Sequence, residues 1–146
     1  MTYQYPTLYQ LVENQPFQPA NALITGVTGF LGGHFVLWRL QTPGKLFLLV
    51  RAEDKAAGWQ RILDSLTLAA ESYALPLPSE AELRERIVCV LGDMLEPNCG
   101  IESADMHALQ DAEIDHVWHC AADMGFLPKH RDRLIRTNVQ LSLIHI

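Results

Sequence analysis

Three glycines at three-residue spacing, Gly26, Gly29 and Gly32, separate an apolar run from a helical pattern, and no other feature constrains the chain as much. Before them, Ala22-Leu23-Ile24-Thr25 is short and apolar enough for a strand buried on both faces. After them, Leu31, Phe35 and Trp38, with Leu37 and Leu40 beside them, suit a helix that ends before Pro43-Gly44. In such a turn one glycine permits the tight bend, one lets the backbone approach a pyrophosphate, and one lets helix and strand pack closely. The helix N-terminus then presents free N–H groups and the positive end of its dipole to phosphates. The competing reading is a tight turn with no ligand. The correctly placed strand and helix favour dinucleotide binding.

The remaining sequence alternates in the same way. Leu46-Phe47-Leu48-Leu49-Val50 is a second buried strand, and Trp59, Ile62, Leu63, Leu66, Ala70 and Tyr73 recur at the steps of one amphipathic helix. Ser79-Glu80-Ala81-Glu82 after Pro78 reads as a capping box opening a short helix. Ile87-Val88-Cys89-Val90-Leu91 is a third strand, a short helix is expected near Ser103–Gln110, and Asp115–Cys120 is a fourth strand. A last helix runs from about Lys129 toward the C-terminus. Strands alternating with helices predict an α/β fold, a Rossmann-like doubly wound parallel sheet truncated after about four strands, with ligands at the strands' carboxyl ends. Residues 1–20, rich in Gln, Pro and Tyr without a period, read as a leader or linker, and the domain as 21–140.

Composition narrows the function classes. At 146 residues one domain is expected. A net charge of −6 with no Lys/Arg cluster makes a nucleic-acid partner a poor fit. The sequence shows no apolar run of membrane-spanning length and no basic-then-apolar signal segment at its start. Cys89, Cys99 and Cys120 form no CxxC pair, which suits a reduced, cytoplasmic protein better than a disulfide framework or zinc site. His116 and His119, three apart on a strand, point to opposite faces, so no metal site is expected. Cys120 reads as a packing residue rather than a nucleophile.

Three further positions carry candidate chemistry. Arg51 follows the second strand directly, where the dinucleotide fingerprint places an acidic residue on the ribose 2′-hydroxyl. A carboxylate there repels a 2′-phosphate and a guanidinium binds it, which argues for NADP(H) over NAD(H); the alternative is a solvated surface arginine. Arg61 is a second, weaker phosphate candidate, since an arginine on a helix face is more often simply solvated. Asp93, after Gly92 at the tip of the third strand, can accept a hydrogen bond from an adenine amino group or, more blandly, cap a turn. The small residues Ala121 and Ala122 after the fourth strand let backbone lie against a cofactor.

Taken together, Thr25-Gly26-x-x-Gly29-Phe30-Leu31-Gly32, Leu49-Val50-Arg51-Ala52, Gly92-Asp93 and Val117-Trp118-His119-Cys120-Ala121-Ala122 resemble the extended short-chain dehydrogenase/reductases. Within that superfamily they look most like thioester reductase domains and fatty acyl-CoA reductases. The resemblance implies that Gly26, Gly29, Phe30, Leu31 and Gly32 hold the pyrophosphate, with Thr25 and Thr28 as further cofactor-binding residues of the same loop, that Arg51 binds the 2′-phosphate, and that Asp93 meets the adenine. It further implies that Ala121 and Ala122 line the ribose–nicotinamide path, and that Asn138, in Thr137-Asn138-Val139, supports a proton relay. The implied reaction of a full-length relative is hydride transfer from NADPH to an acyl thioester on coenzyme A or a carrier protein, giving an aldehyde or alcohol.

Two departures stand out. The family's proton donor is the Tyr of a Tyr-x-x-x-Lys pair, yet none of Tyr3, Tyr5, Tyr9 and Tyr73 has a lysine four residues later. The family also usually continues Asn-Val-x with Gly-Thr, whereas Gln140 is followed by Leu141-Ser142-Leu143-Ile144-His145-Ile146. That hexapeptide resembles the translation of a transposon end, so residues 141–146 read as a non-native tail on a truncated frame; the alternative is an ordinary apolar helix end. Two rival functions remain open: an epimerase or dehydratase of sugar nucleotides, which more often keeps an acidic residue at the position of Arg51, and a non-catalytic dinucleotide sensor.

Overall fold

The structure, a computed structural model, describes residues 20–123, 129 and 131–140. The expectations for residues 1–19 and 141–146 lie outside these. The elements follow in the order β1 (Asn21–Thr25), α1 (Phe30–Arg39), β2 (Leu46–Val50), α2 (Lys55–Ser72), α3 (Glu80–Arg86), β3 (Ile87–Leu91), α4 (Ser103–Asp111), β4 (Ile114–His119) and α5 (Arg131–Leu134). A 3-10 turn over Pro97–Gly100 precedes α4, and α5 runs on into a π-helical stretch, Ile135–Gln140.

The four strands form one parallel sheet in the order β3-β2-β1-β4, a Rossmann-like arrangement. Strand direction sorts the side chains into two cores. Leu46, Leu48 and Val50 join Ala22, Ile24 and the buried faces of α1 and α2 on one side. Phe47 and Leu49 join Val90 and Leu109 of α4 on the other. Every residue of β2 is buried, which explains its unbroken apolar sequence: a strand covered on both faces has no solvent side to mark with polar residues. Leu48 is fully buried at its centre. Leu48→Ala is expected to destabilise the fold by about 2–5 kcal/mol in urea unfolding, through lost burial and the cavity left behind. A loss below about 1 kcal/mol would show that the sheet is not packed as described.

The helices differ from the sequence reading in instructive ways. α1 buries Gly32, Gly33, Val36, Leu37 and Arg39 rather than Leu31, which is exposed. Glycines, invisible to an apolar count, are its contact surface: a Cβ on Gly33 would collide with Ser65 Oγ of α2. α2 begins one turn before its first large apolar residue, because Asp54 caps it by accepting from the Ala57 N–H at 2.8 Å. The Ser79/Glu82 capping box is present, and α3 is fastened to α2 by Glu80, which accepts from Trp59 Nε1 at 2.9 Å. The Arg84 guanidinium lies 4.3 Å from the centre of the Trp59 ring and pairs with Glu80, and the hydrogen bonds from Arg84 and Trp59 hold the Glu80 carboxyl below the usual carboxylate range.

Two polar residues escaped the sequence reading because they act in structure, not chemistry. Asn21 joins three segments at the base of the sheet: its side chain accepts from Lys45 N and donates to Ala112 O, and its N–H donates to Asp115. Arg39, fully buried at the end of α1, donates to Ala20 O and Thr42 Oγ1. Burial and the neighbouring Arg86 charge both lower its pKa. β4, by contrast, leaves Val117 and Trp118 exposed at one edge of the described sheet.

Candidate cofactor site

The strand order reverses between β1 and β4: β2 and β3 extend the sheet to one side of β1, and the chain returns to the other side for β4. In such sheets the crevice at the reversal, beyond the carboxyl ends of the strands, is where ligands sit. β1 opens into that crevice through Gly26. Its φ of +71° is left-handed, and a Cβ there would collide with the Ala121 backbone nitrogen. The loop therefore touches the segment after β4 directly, and Cys120 N donates to Thr25 O at 3.1 Å. Gly32 makes the second close approach, since its Cβ would overlap Gly26 O. Gly29 is different: it has extended backbone and only Gly26 O, at 3.3 Å, near the place of a Cβ. The three glycines thus divide: at Gly26 and Gly32 a Cβ would overlap backbone, and at Gly29 it would only touch Gly26 O.

A cleft of about 580 Å³ lies beyond the strand tips. Of the residues singled out from sequence, Gly26, Thr28, Arg51, Arg61, Asp93, Ala121 and Ala122 line it. Gly29 and Phe30 instead line an adjoining cavity of about 330 Å³, which shares Thr28 and Arg61 with the first. Thr25 is buried, its hydroxyl hydrogen-bonded to His119 Nδ1 at 2.8 Å, so it fixes β1 against β4. Leu31 and Gly32 line neither cavity: the first is exposed on α1, the second buried in the turn.

Charge in the cleft is mixed and ordered. Arg51 stands at the tip of β2 with its side chain 73% exposed, and its Nη1 lies 3.4 Å from Asp93 Oδ2 at the tip of β3. Arg61 reaches across from α2, donating to the Arg51 carbonyl and to Thr28 Oγ1. It is a cleft residue, not merely a solvated helix arginine. Asp93 also fills the turn role weighed for it: its Oδ1 accepts from Leu95 N at 3.0 Å. Burial pushes the Cys120 thiol up, which keeps it protonated and suits packing rather than nucleophilic attack.

Asn138 does not line the cleft, although Thr137 does. Its side chain clasps the backbone of Asp123, accepting from the N–H at 2.7 Å and donating to the carbonyl at 2.8 Å. The Asp123 carboxylate also pairs with Arg133. Met94, Leu95, Asp123 and Arg133 line the cleft without having been foreseen. No motif marks them, because they reach it through loop and helix geometry rather than strand-tip position. Among the described residues no group of His, Cys, Asp or Glu is placed to hold a metal ion, and no helix is long and apolar enough to cross a membrane.

The residues present fit a dinucleotide: a backbone cradle at Gly29 free of Cβ, an N-terminus of α1 without an acidic residue in its first turn, and cations beyond the strand tips. Residues 24–143 match the NAD_binding_4 family, described as male sterility protein. The chain belongs to that family. It is 34% identical over 119 residues to a linear gramicidin synthase protein of Brevibacillus parabrevis, covering 81% of this chain and 2% of that one. It is likewise 34% identical over 112 residues to a probable fatty acyl-CoA reductase 4 of Arabidopsis thaliana, covering 71% and 23%. Among solved structures, the terminal R domain of the myxalamid PKS-NRPS biosynthetic pathway superposes with a TM-score of 0.68 at 32% identity, covering 86% of this chain and 31% of that one. The chain therefore spans less than a third of each of these relatives. The family is one of oxidoreductases, and a nicotinamide dinucleotide is its cofactor class.

Proposed function

We propose that this chain is the NADP(H)-binding part of a reductase that acts on acyl thioesters, carried on coenzyme A or on a carrier protein. Arg51 carries the reading. It is a largely exposed guanidinium at the tip of β2, beside Arg61, where an NAD-type site places a carboxylate. A 2′-phosphate at that position meets two cations, whose charge an unmodified ribose cannot use. The thioester half of the reading draws support from relatives named as fatty acyl-CoA reductases and from a similar solved structure, a thiolation-reductase di-domain of an archaeal non-ribosomal peptide synthetase. When bound, NADPH would supply the hydride that reduces a thioester carbonyl carbon, with the thiolate as leaving group and an aldehyde as product. Within the chain, the glycine loop would hold the pyrophosphate, Asp93 the adenine, and Ala121 and Ala122 the wall beside the ribose. Asn138 would support that wall through its grip on Asp123.

Arg51→Ala tests the assignment. It should weaken NADPH binding about tenfold or more and NADH binding only slightly, because one cofactor alone loses a charge-assisted pair. Isothermal titration of the purified chain with each cofactor measures this. Equal losses for both would sink the NADP(H) reading.

A further inference from the structure

The tips of β2 and β3 are held side by side. Val50 pairs with Leu91, and Gly92 N continues the ladder by donating to Val50 O at 3.1 Å. The residues that follow, Arg51 and Asp93, therefore face one another whatever is bound. They are unequally free. Asp93 is fixed on every side: its N–H donates to Cys99 O at 2.8 Å, its carbonyl accepts from Glu96 N at 2.9 Å, and its Oδ1 accepts from Leu95 N. Only Oδ2 is turned toward Arg51. Arg51 is anchored at its carbonyl by Arg61, while its side chain is mostly in solvent and touches the carboxylate through one long contact. A single exposed contact of this kind is weak and exchanges readily for a better anion.

From this geometry, and resting on the NADP(H) reading above, we infer that Asp93 is a built-in competitor for Arg51. It is a carboxylate that the cofactor's 2′-phosphate displaces, and it limits how strongly the chain distinguishes NADPH from NADH. The phosphate brings more charge and bidentate geometry, so it takes the guanidinium. The displaced carboxylate cannot leave, because three hydrogen bonds hold its residue in the turn. It stays beside the bound phosphate and opposes it through a partly solvated medium. NADH carries no charge at that position, so Asp93's charge reaches it only through the adenine contact that both cofactors share.

Asp93→Asn removes the charge and keeps both the shape and the oxygen that accepts from Leu95 N and from an adenine. It should raise the NADPH-to-NADH affinity ratio by about threefold or more, because any change at the adenine is common to both cofactors, and lose most of that gain as salt rises from about 0.05 M to 0.5 M. Asp93→Ser, which also retains an oxygen for the Leu95 N–H, should shift the NADPH-to-NADH ratio in the same direction. Isothermal titration with both cofactors, on the full chain with its circular dichroism compared to wild type, reads each outcome. A wild-type chain whose preference for NADPH disappears in Arg51→Ala, yet is unmoved or lowered in both Asp93 variants, overturns this inference alone. A wild-type chain that binds NADPH no more tightly than NADH overturns the NADP(H) reading and this inference with it.

Discussion

Gly26→Val and Gly32→Val should leave the chain unfolded, whereas Gly29→Val should leave it folded and unable to bind a dinucleotide. The distinction comes from what each new Cβ would meet. At Gly26 it meets the Ala121 backbone, in a left-handed conformation that a branched residue strongly resists. At Gly32 it meets Gly26 O. Neither obstacle is a flexible side chain, so β1, α1 and the segment after β4 would have to separate. That places both substitutions in the severe class, about 4 kcal/mol or more, against a total stability of about 5–15 kcal/mol for a domain. Gly29 has ordinary extended backbone, and its Cβ needs only a small retreat of Gly26 O. The cost there is that of a poor helix cap, about 1 kcal/mol. Its side chain would nevertheless stand where a pyrophosphate approaches the backbone. Circular dichroism separates the two classes, and cofactor titration tests the third variant. Unchanged cofactor binding in folded Gly29→Val would show that the turn is structural only.

The second large effect concerns turnover. Purified residues 1–146 mixed with NADPH and a panel of acyl thioesters should oxidise no NADPH above the rate without protein. Tyr73, the tyrosine among the described residues, ends α2 edge-on to His34 and does not line the cleft. Lys55 is engaged with Asp105 and with the Cys89 carbonyl. No Tyr-x-x-x-Lys pair exists to deliver a proton, and a positioned general acid is worth about 10²–10⁴ in rate. The comparison is a longer chain that carries this segment together with such a pair, in which replacing the tyrosine should abolish activity. Comparable turnover by residues 1–146 would refute the expectation that the reaction needs a Tyr-x-x-x-Lys pair.

The sequence made the sheet legible because burial on both faces leaves a plain signature. Leu46–Val50 and Ile87–Leu91 are apolar throughout, and both strands begin and end where those runs do. The loop was legible for a related reason: glycines are required where backbones touch, and no other residue substitutes. Helix starts were less so. α2 begins at a polar turn set by the Asp54 cap, and apolar periodicity does not register the first turn. The cleft's far wall was illegible, because Arg133 and Asp123 look like any solvated pair until α5 brings one against the other. The Arg51–Asp93 contact was hidden differently. Each residue was read against the cofactor, and only the β2–β3 register shows that they also face each other.

The reversal of strand order also has a consequence in time. β1 meets β2 across a sequence separation of 24 residues, but it meets β4 across 94. Loop closure grows costlier with length, by about 1 kcal/mol between those two separations. The β1–α1–β2 unit can therefore gather early around Ile24 and Leu48, and β4 docks onto it afterwards. The crevice is made by that last docking, with Gly26 against Ala121 and Thr25 against His119 as its closing contacts. The glycine loop is thus shaped early but remains half a site until the most distant strand arrives.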